Sequence, residues 1–292
     1  MAEQRPDVDA HTGTATTGHD WDGIRELNTP LPRWWLWTFY ATILWSIGYW
    51  IVYPSWPLVS SYSRGVFGWQ SREAVVRDLA MLNQIRGPMM VRLSEAALPE
   101  ISSDPLLLDF ARAQGRTAFA DNCAPCHGPN GAGIKGYPNL NDDEWLWGGK
   151  LDDIATTIRH GIRSIDEKTR LGSMPAFGRD NMMKRTEIET VADYVRSIAG
   201  LPVEPKADLL VGKQVFSENC VSCHGDAGKG KREIGAPDLT DAIWLYGSDK
   251  QAIIDGLWNG RGGVMPAWAG RLDDTTIKAL TVYVHSLGGG EK

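Results

Sequence analysis

Two pentapeptides, Cys123-Ala-Pro-Cys126-His127 and Cys220-Val-Ser-Cys223-His224, contain every cysteine of the 292-residue chain. A Cys-x-x-Cys-His run is the signature of covalent c-type haem attachment, in which each thiol adds across a haem vinyl group and the adjoining histidine offers a ring nitrogen to the iron. Two such pairs could instead build one zinc site, but zinc pairs stand within roughly 20 residues of each other, and these are nearly a hundred apart. A redox dithiol has no use for a histidine at the same offset twice, and a disulfide framework belongs to small secreted folds. Cys123, Cys126, Cys220 and Cys223 are therefore expected to carry two haems c, with His127 and His224 as iron ligands.

A second axial ligand must come from elsewhere. Met265 is the one methionine after His224 and lies in Gly263-Val-Met265-Pro266-Ala-Trp268; of Met174, Met182 and Met183, only Met174 repeats that context, in Gly172-Ser-Met174-Pro175-Ala-Phe177. The proline restrains the backbone beside the thioether. Methionine opposite histidine raises the reduction potential and fills the sixth position, which suits electron transfer rather than catalysis at the iron. His160 and His285 are competing sixth ligands, but helical patterns give both a surface or packing role. Each methionine is taken to serve the haem of its own half, although exchange of the two Met-Pro loops between the haems would leave the same sequence.

The elements that must hold these residues repeat with them. Gly115, Phe119 and Cys123 recur as Gly212, Phe216 and Cys220; Pro138-Asn-Leu140 and Trp145-Leu-Trp147-Gly148 as Pro237-Asp-Leu239 and Trp244-Leu-Tyr246-Gly247; Tyr194-Val-Arg-Ser197 as Tyr283-Val-His-Ser286. This internal repeat divides the chain into haem domains at 105–200 and 201–292, each self-contained around its haem. Asp104-Pro105 reads as cap and first position of a helix entering the first motif. Leu151 to Arg163 is another helical stretch, and the closing helix is marked by Thr186 and Glu189 in capping-box spacing. The fold class is all-α: one N-terminal transmembrane helix followed by two tandem class I cytochrome c domains.

Trp34 to Tyr53 holds twenty residues without a charge, with tryptophans and a tyrosine near its ends, long enough to span a bilayer at about 1.5 Å per residue. The expected division upstream is thus a cytoplasmic tail at 1–33, a retained membrane helix at 34–53 and a periplasmic linker at 54–104. Arg25 and Arg33 before the span balance Arg64 and Arg72 after it, so the orientation rests on chemistry: bacterial c-haem attachment occurs outside the inner membrane, which puts the haem domains in the periplasm. Thr38, Thr42 and Ser46 form a strip of small hydroxylated residues, either a docking face for another helix or side chains bonded to their own helix. Residues 1 to 20 read as disordered, and Ser71 to Arg86 as an amphipathic helix stopped by Gly87-Pro88. A net charge of -6 leaves no basic footprint for nucleic acid. Lys229, Lys231 and Arg232, or the acidic runs Asp142-Asp143-Glu144 and Asp152-Asp153, could meet partners of opposite charge.

The arrangement resembles the di-haem cytochrome c subunit, subunit III, of cbb3-type cytochrome c oxidase. The resemblance covers nearly the whole chain, and its most specific stretch is the acidic, Asn-Pro-containing lead Asp22-Gly-Ile-Arg-Glu26-Leu-Asn28-Thr-Pro30-Leu-Pro32-Arg33 into a Trp-rich helix. It implies thioethers on Cys123, Cys126, Cys220 and Cys223, and axial ligands His127, Met174, His224 and Met265. It also implies partners: a quinol-oxidising complex or soluble cytochrome as donor, a mono-haem cytochrome subunit as acceptor, and a catalytic haem-copper subunit that reduces oxygen. This chain cannot host oxygen reduction itself, having one span and few histidines. A free-standing membrane-anchored carrier for another dehydrogenase or reductase is the alternative, and a di-haem peroxidase a weaker one, since it needs an open iron position.

Overall fold

A computed structural model describes residues 7–291, in two units, Met1–Gln84 and Ile85–Lys292. In the first, Asp22 and Gly23 both take positive φ (55° and 90°), the geometry a two-residue hairpin turn needs and Asp-Gly supplies. They join β1 (Thr16–Trp21) to β2 (Ile24–Leu27) in an antiparallel pair. The expected disorder over residues 1 to 20 is thereby corrected for β1; residues 1–6 lie outside the described range. The fold is predominantly rather than wholly helical.

Helix α1 (Arg33–Val52) follows Pro32 and has no buried residue. Among the described residues no helix is long and apolar enough to cross a membrane. Five tryptophans in α1 lower its average, because the indole N–H makes this side chain prefer an interface to hydrocarbon. The hydroxyls of Thr38, Thr42 and Ser46 donate to the carbonyls of Trp34, Phe39 and Thr42 at 2.9, 2.7 and 2.8 Å.

Helix α2 (Ser71–Glu95) passes through Pro88 instead of stopping there. Proline costs a helix interior about 3 kcal/mol, but beyond it Leu93 is completely buried and Met89 packs on the same cluster, so burial of the last turns outweighs the broken hydrogen bond. Lys278 Nζ closes this end by donating to the carbonyls of Ser94 and Ala96 at 2.7 and 2.9 Å.

The second unit continues with α3 (Leu98–Ser103), α4 (Pro105–Asn122), the single turn α5 (Ala124–His127), α6 (Leu151–His160) and α7 (Arg185–Ile198). The second half repeats this with α8 (Leu209–Asn219), the turn α9 (Val221–His224), α10 (Lys250–Asn259) and α11 (Asp274–His285). Asp104 caps α4 as expected, accepting from Leu106 N and Leu107 N. The box on α7 lies two residues before the expected one: Glu187 accepts from Lys184 N at 2.7 Å, while Glu189 pairs with Arg185 along the helix. Helix α6 ends at His160 because Gly161 turns to φ 68°.

The two halves are not self-contained. Helix α4, which leads to the first motif, packs on α11, the closing helix of the second half; α8, which leads to the second motif, packs on α7, the closing helix of the first. The rings of Phe119 and Tyr283 meet at 5.4 Å and 56°, and those of Tyr194 and Phe216 at 5.4 Å and 55°. Each such pair is worth about 0.5–1.5 kcal/mol beyond its buried area. Gly115 and Gly212 sit where these helices cross: a Cβ on Gly115 would collide with the Ala279 carbonyl, and one on Gly212 would lie 2.6 Å from the Thr190 carbonyl oxygen. One core, with Val191, Val215, Phe216 and Leu257, comes from residues 171–260. The core around Phe119, Ile154 and Leu280 joins α4 and α6 to the chain's last segment. The repeat divides the sequence, but each closing segment packs on the opposite half.

Candidate haem attachment sites

Both motifs are held the same way. The chain leaves α4 with Cys123 N bonded to the Phe119 carbonyl at 2.8 Å, and His127 N bonds back to the Cys123 carbonyl at 2.9 Å. The second motif repeats these bonds at 2.8 and 2.9 Å, from Cys220 N to Phe216 and from His224 N to Cys220. One helical turn thus gathers two thiols and an imidazole. Gly128 and Gly225 end the turns at φ 78° and 73°, a backbone that side chains resist.

The imidazoles are oriented for a metal. His127 Nδ1 lies 3.0 Å from the Pro138 carbonyl and His224 Nδ1 lies 3.1 Å from that of Pro237. A carbonyl only accepts, so each Nδ1 carries the proton and each Nε2 keeps its lone pair for an iron. Burial lowers both histidine pKa values, favouring the neutral form that ligates. Sequence reasoning recognised the recurring Pro-x-Leu but not this role; the proline 11 residues after the first histidine and 13 after the second was the signal.

Met265 and Trp268 pack with Cys123, Ala124 and Phe119, whereas Met174 packs with Cys220, Val221 and Phe216. The two methionines are therefore crossed in their packing, each lying with the motif of the other half rather than its own. The reason is the helix exchange: each Met-Pro loop precedes a closing helix and travels with it. At the crossover the loops exchange backbone bonds. Ile162 and Met265 bond each other at 3.0 Å in both directions, and Met174 and Arg261 at 2.8 and 3.1 Å. Met182 is exposed, and Met183 is buried in the core around Phe216.

The thiols are free. Burial, then the neighbouring thiol, pushes Cys123 and Cys220 each up to about 11, the reverse of a reactive redox dithiol. His160 Nδ1 is 3.0 Å from Asp166 and His285 Nε2 is 2.8 Å from the Glu291 carbonyl, so each has one ring nitrogen engaged. At each motif one thiol and a thioether share an apolar cluster and an oriented imidazole belongs to the same turn, a donor set that fits a haem c.

The charged runs serve the fold. Lys229 binds Asp238 at 3.1 Å, Lys231 the Ser222 carbonyl at 2.7 Å, and Arg232 pairs with Glu291. Burial, then Asp241 and Asp238, pushes Glu144 up to about 7, and Asp142 is raised by burial, Asp143 and Asp241. Because the folded Glu144 holds its proton above the ordinary 4.5, its contribution to stability is present at low pH and lost as pH rises toward neutrality. Glu144→Gln is expected to flatten that fall, leaving the variant more stable than the parent at pH ~8 and nearly equal at pH ~5, read by thermal unfolding.

Comparison with known proteins gives three matches along the chain. Residues 13–60 match the N-terminal domain of cytochrome oxidase-cbb3, FixP; residues 112–199 match cytochrome c; and residues 207–284 match cytochrome C oxidase, cbb3-type, subunit III. The cbb3-type cytochrome c oxidase subunit FixP of Bradyrhizobium diazoefficiens is 60% identical over 285 residues, covering 98% of this chain and 98% of the relative. That of Rhizobium meliloti is 49% identical over the full length of both, and subunit CcoP of Azospirillum brasilense is 48% identical over 97% of this chain and 98% of the relative.

Proposed function

Because the chain belongs to the FixP/CcoP family of cbb3-type cytochrome c oxidase subunits, we propose that it is a membrane-anchored di-haem carrier that passes electrons toward the oxygen-reducing subunit of such an oxidase. It is an electron-transfer subunit of the complex, not the catalytic enzyme. The observation that carries the di-haem reading is the doubled site: each Cys-x-x-Cys-His turn, with its histidine Nδ1 tied to a proline carbonyl, has one Met-Pro loop packed against it.

When bound, haem c supplies one-electron redox chemistry. The chain's residues do the rest. Cys123 and Cys126, and Cys220 and Cys223, would hold the two groups covalently, with His127 and Met265 as the side-chain donors to the first and His224 and Met174 to the second. A methionine donor would favour the reduced form, which suits electron transfer rather than peroxide chemistry. Pro138 and Pro237 keep the imidazoles in place with little reorganisation on electron transfer. Apolar packing around Phe119 and Phe216 excludes water.

Helix α1 is the proposed anchor. Its 20 residues span about 30 Å, no charge lies between Trp34 and Val52, and its large apolar side chains are exposed along the whole length. Its three hydroxyls already bond helix carbonyls, so they enter lipid without an unsatisfied donor. With the haem domains periplasmic, the N-terminus is cytoplasmic. The donor is a quinol-oxidising complex or a soluble cytochrome, and the next acceptor is a mono-haem subunit.

Purification in mild detergent, haem staining and oxygen uptake on one fraction test this reading. Two covalent haems on this chain, with a multi-span haem-copper subunit and cyanide-sensitive uptake, are expected. A haem-bearing chain that purifies alone and consumes no oxygen would point to a free-standing carrier instead.

A further inference from the structure

One side chain at the crossover belongs to neither motif. Arg163 has φ 50°, in the left-handed region that a bulky residue occupies only when its surroundings hold it there. Its guanidinium is partly buried, which lowers its pKa, and among the described residues its hydrogen bonds go to carbonyls, not to a carboxylate. Nε donates to the Gly263 carbonyl at 2.7 Å and Nη1 to the Gly172 carbonyl. These glycines stand two residues before Met265 and Met174 respectively.

We propose that Arg163 is a positioning residue that clamps the two methionine loops to each other, so that neither thioether can leave its iron without loosening the other. A guanidinium is suited to this because its donors sit in a rigid planar fork that can reach two acceptors at once, whereas an ammonium is a single point on a flexible stem. The clamp reinforces the exchanged backbone bonds at Ile162, Met174, Arg261 and Met265. Gly262 lies against it: a Cβ at that position would stand 3.9 Å from Arg163 Cδ, so the arginine stem is packed as well as bonded. Strain at residue 163 persists because releasing it would free both loops. The two sixth ligands then respond together, although they serve different haems.

This rests on the crossed ligation proposed above, and the test separates the two. R163Q, R163K and R163G are compared in the full-length haem-loaded protein by the sulfur-to-iron absorption of each ferric haem and by equilibrium redox titration. M174A and M265A serve as references for complete loss at one haem. The expected result is that R163Q weakens the absorption and lowers the midpoint potential of both haems at unchanged haem content. R163K recovers only part of either, since it keeps the charge without the fork. R163G, which suits the positive φ and keeps the protein foldable, shows the same joint loss. A change at one haem only, or at neither, overturns the clamp. So does failure of all three variants to load haem, which would make Arg163 a folding determinant alone. Sulfur-to-iron absorption undiminished in both M174A and M265A would overturn the ligand assignment instead.

Discussion

Replacing Met265 by alanine is expected to strip the sulfur ligand from the haem on Cys123 and Cys126 and to leave the haem on Cys220 and Cys223 ligated. The opposite result follows from an uncrossed reading of the repeat, so the experiment is decisive. It is cleanest in single-haem backgrounds. With Cys220→Ala and Cys223→Ala, one haem remains at the first motif; there M265A should abolish its sulfur-to-iron absorption and lower its potential, while M174A should leave both nearly as they were. With Cys123→Ala and Cys126→Ala the roles reverse. The basis is packing: Met265 shares a cluster with Cys123 and Phe119, and Met174 with Cys220 and Phe216. Loss of the thioether removes the ligand that favours the reduced state, so the potential falls at the affected haem.

Gly115→Ala and Gly212→Ala are expected to destabilise the protein although alanine is the better helix former. The gain in propensity is about 1 kcal/mol. Against it stands a Cβ driven into backbone: the Ala279 carbonyl for Gly115, and the Thr190 carbonyl oxygen at 2.6 Å for Gly212. A carbonyl held inside α11 or α7 cannot swing aside as a side-chain tip could, so the helices must separate, at the roughly 1–3 kcal/mol typical of overpacking or more. The loss spreads to the neighbouring aromatic pairs, Phe119 with Tyr283 and Tyr194 with Phe216. Denaturant midpoints and haem content of the loaded protein measure it. Unchanged midpoints in both variants would mean that α4 and α11, and α8 and α7, do not meet as described.

Chemistry was more legible in the sequence than its spatial pairing. The Cys-x-x-Cys-His turns, the cap at Asp104 and the helix entering each motif are local features, set by residues within a few positions of each other, and they were readable. So was the importance of Gly115 and Gly212, which recur at matched offsets, though not which helix each would face. The partner of Met174 was not readable, because two copies of one unit present the same interfaces: α7 offers Tyr194 where α11 offers Tyr283, and pattern cannot distinguish exchange from its absence. The hairpin at Asp22-Gly23 carried a strong local signal, obscured by the polar run before it. Pro88 misled because burial of Leu93, a non-local effect, overrode a local stop. Helix α1 is the reverse case: from Trp34 onward it carries no charge, yet its tryptophans keep its average hydropathy below that of an ordinary spanning helix.

The exchange of closing segments also orders events in time. Synthesis runs from the N-terminus, so the first motif emerges long before the segment that completes its pocket, since Met265 and α11 follow it by well over a hundred residues. At the second motif the order is inverted: Met174 and α7 are made before Cys220, and that pocket waits only for α10, whose Ile254 and Leu257 complete its core. The nascent chain therefore presents an early site that stays open until Met265 and α11 have been made and a late site that closes once α10 follows its motif. Whatever machinery attaches haem meets the first with ample access and the second with a narrow interval.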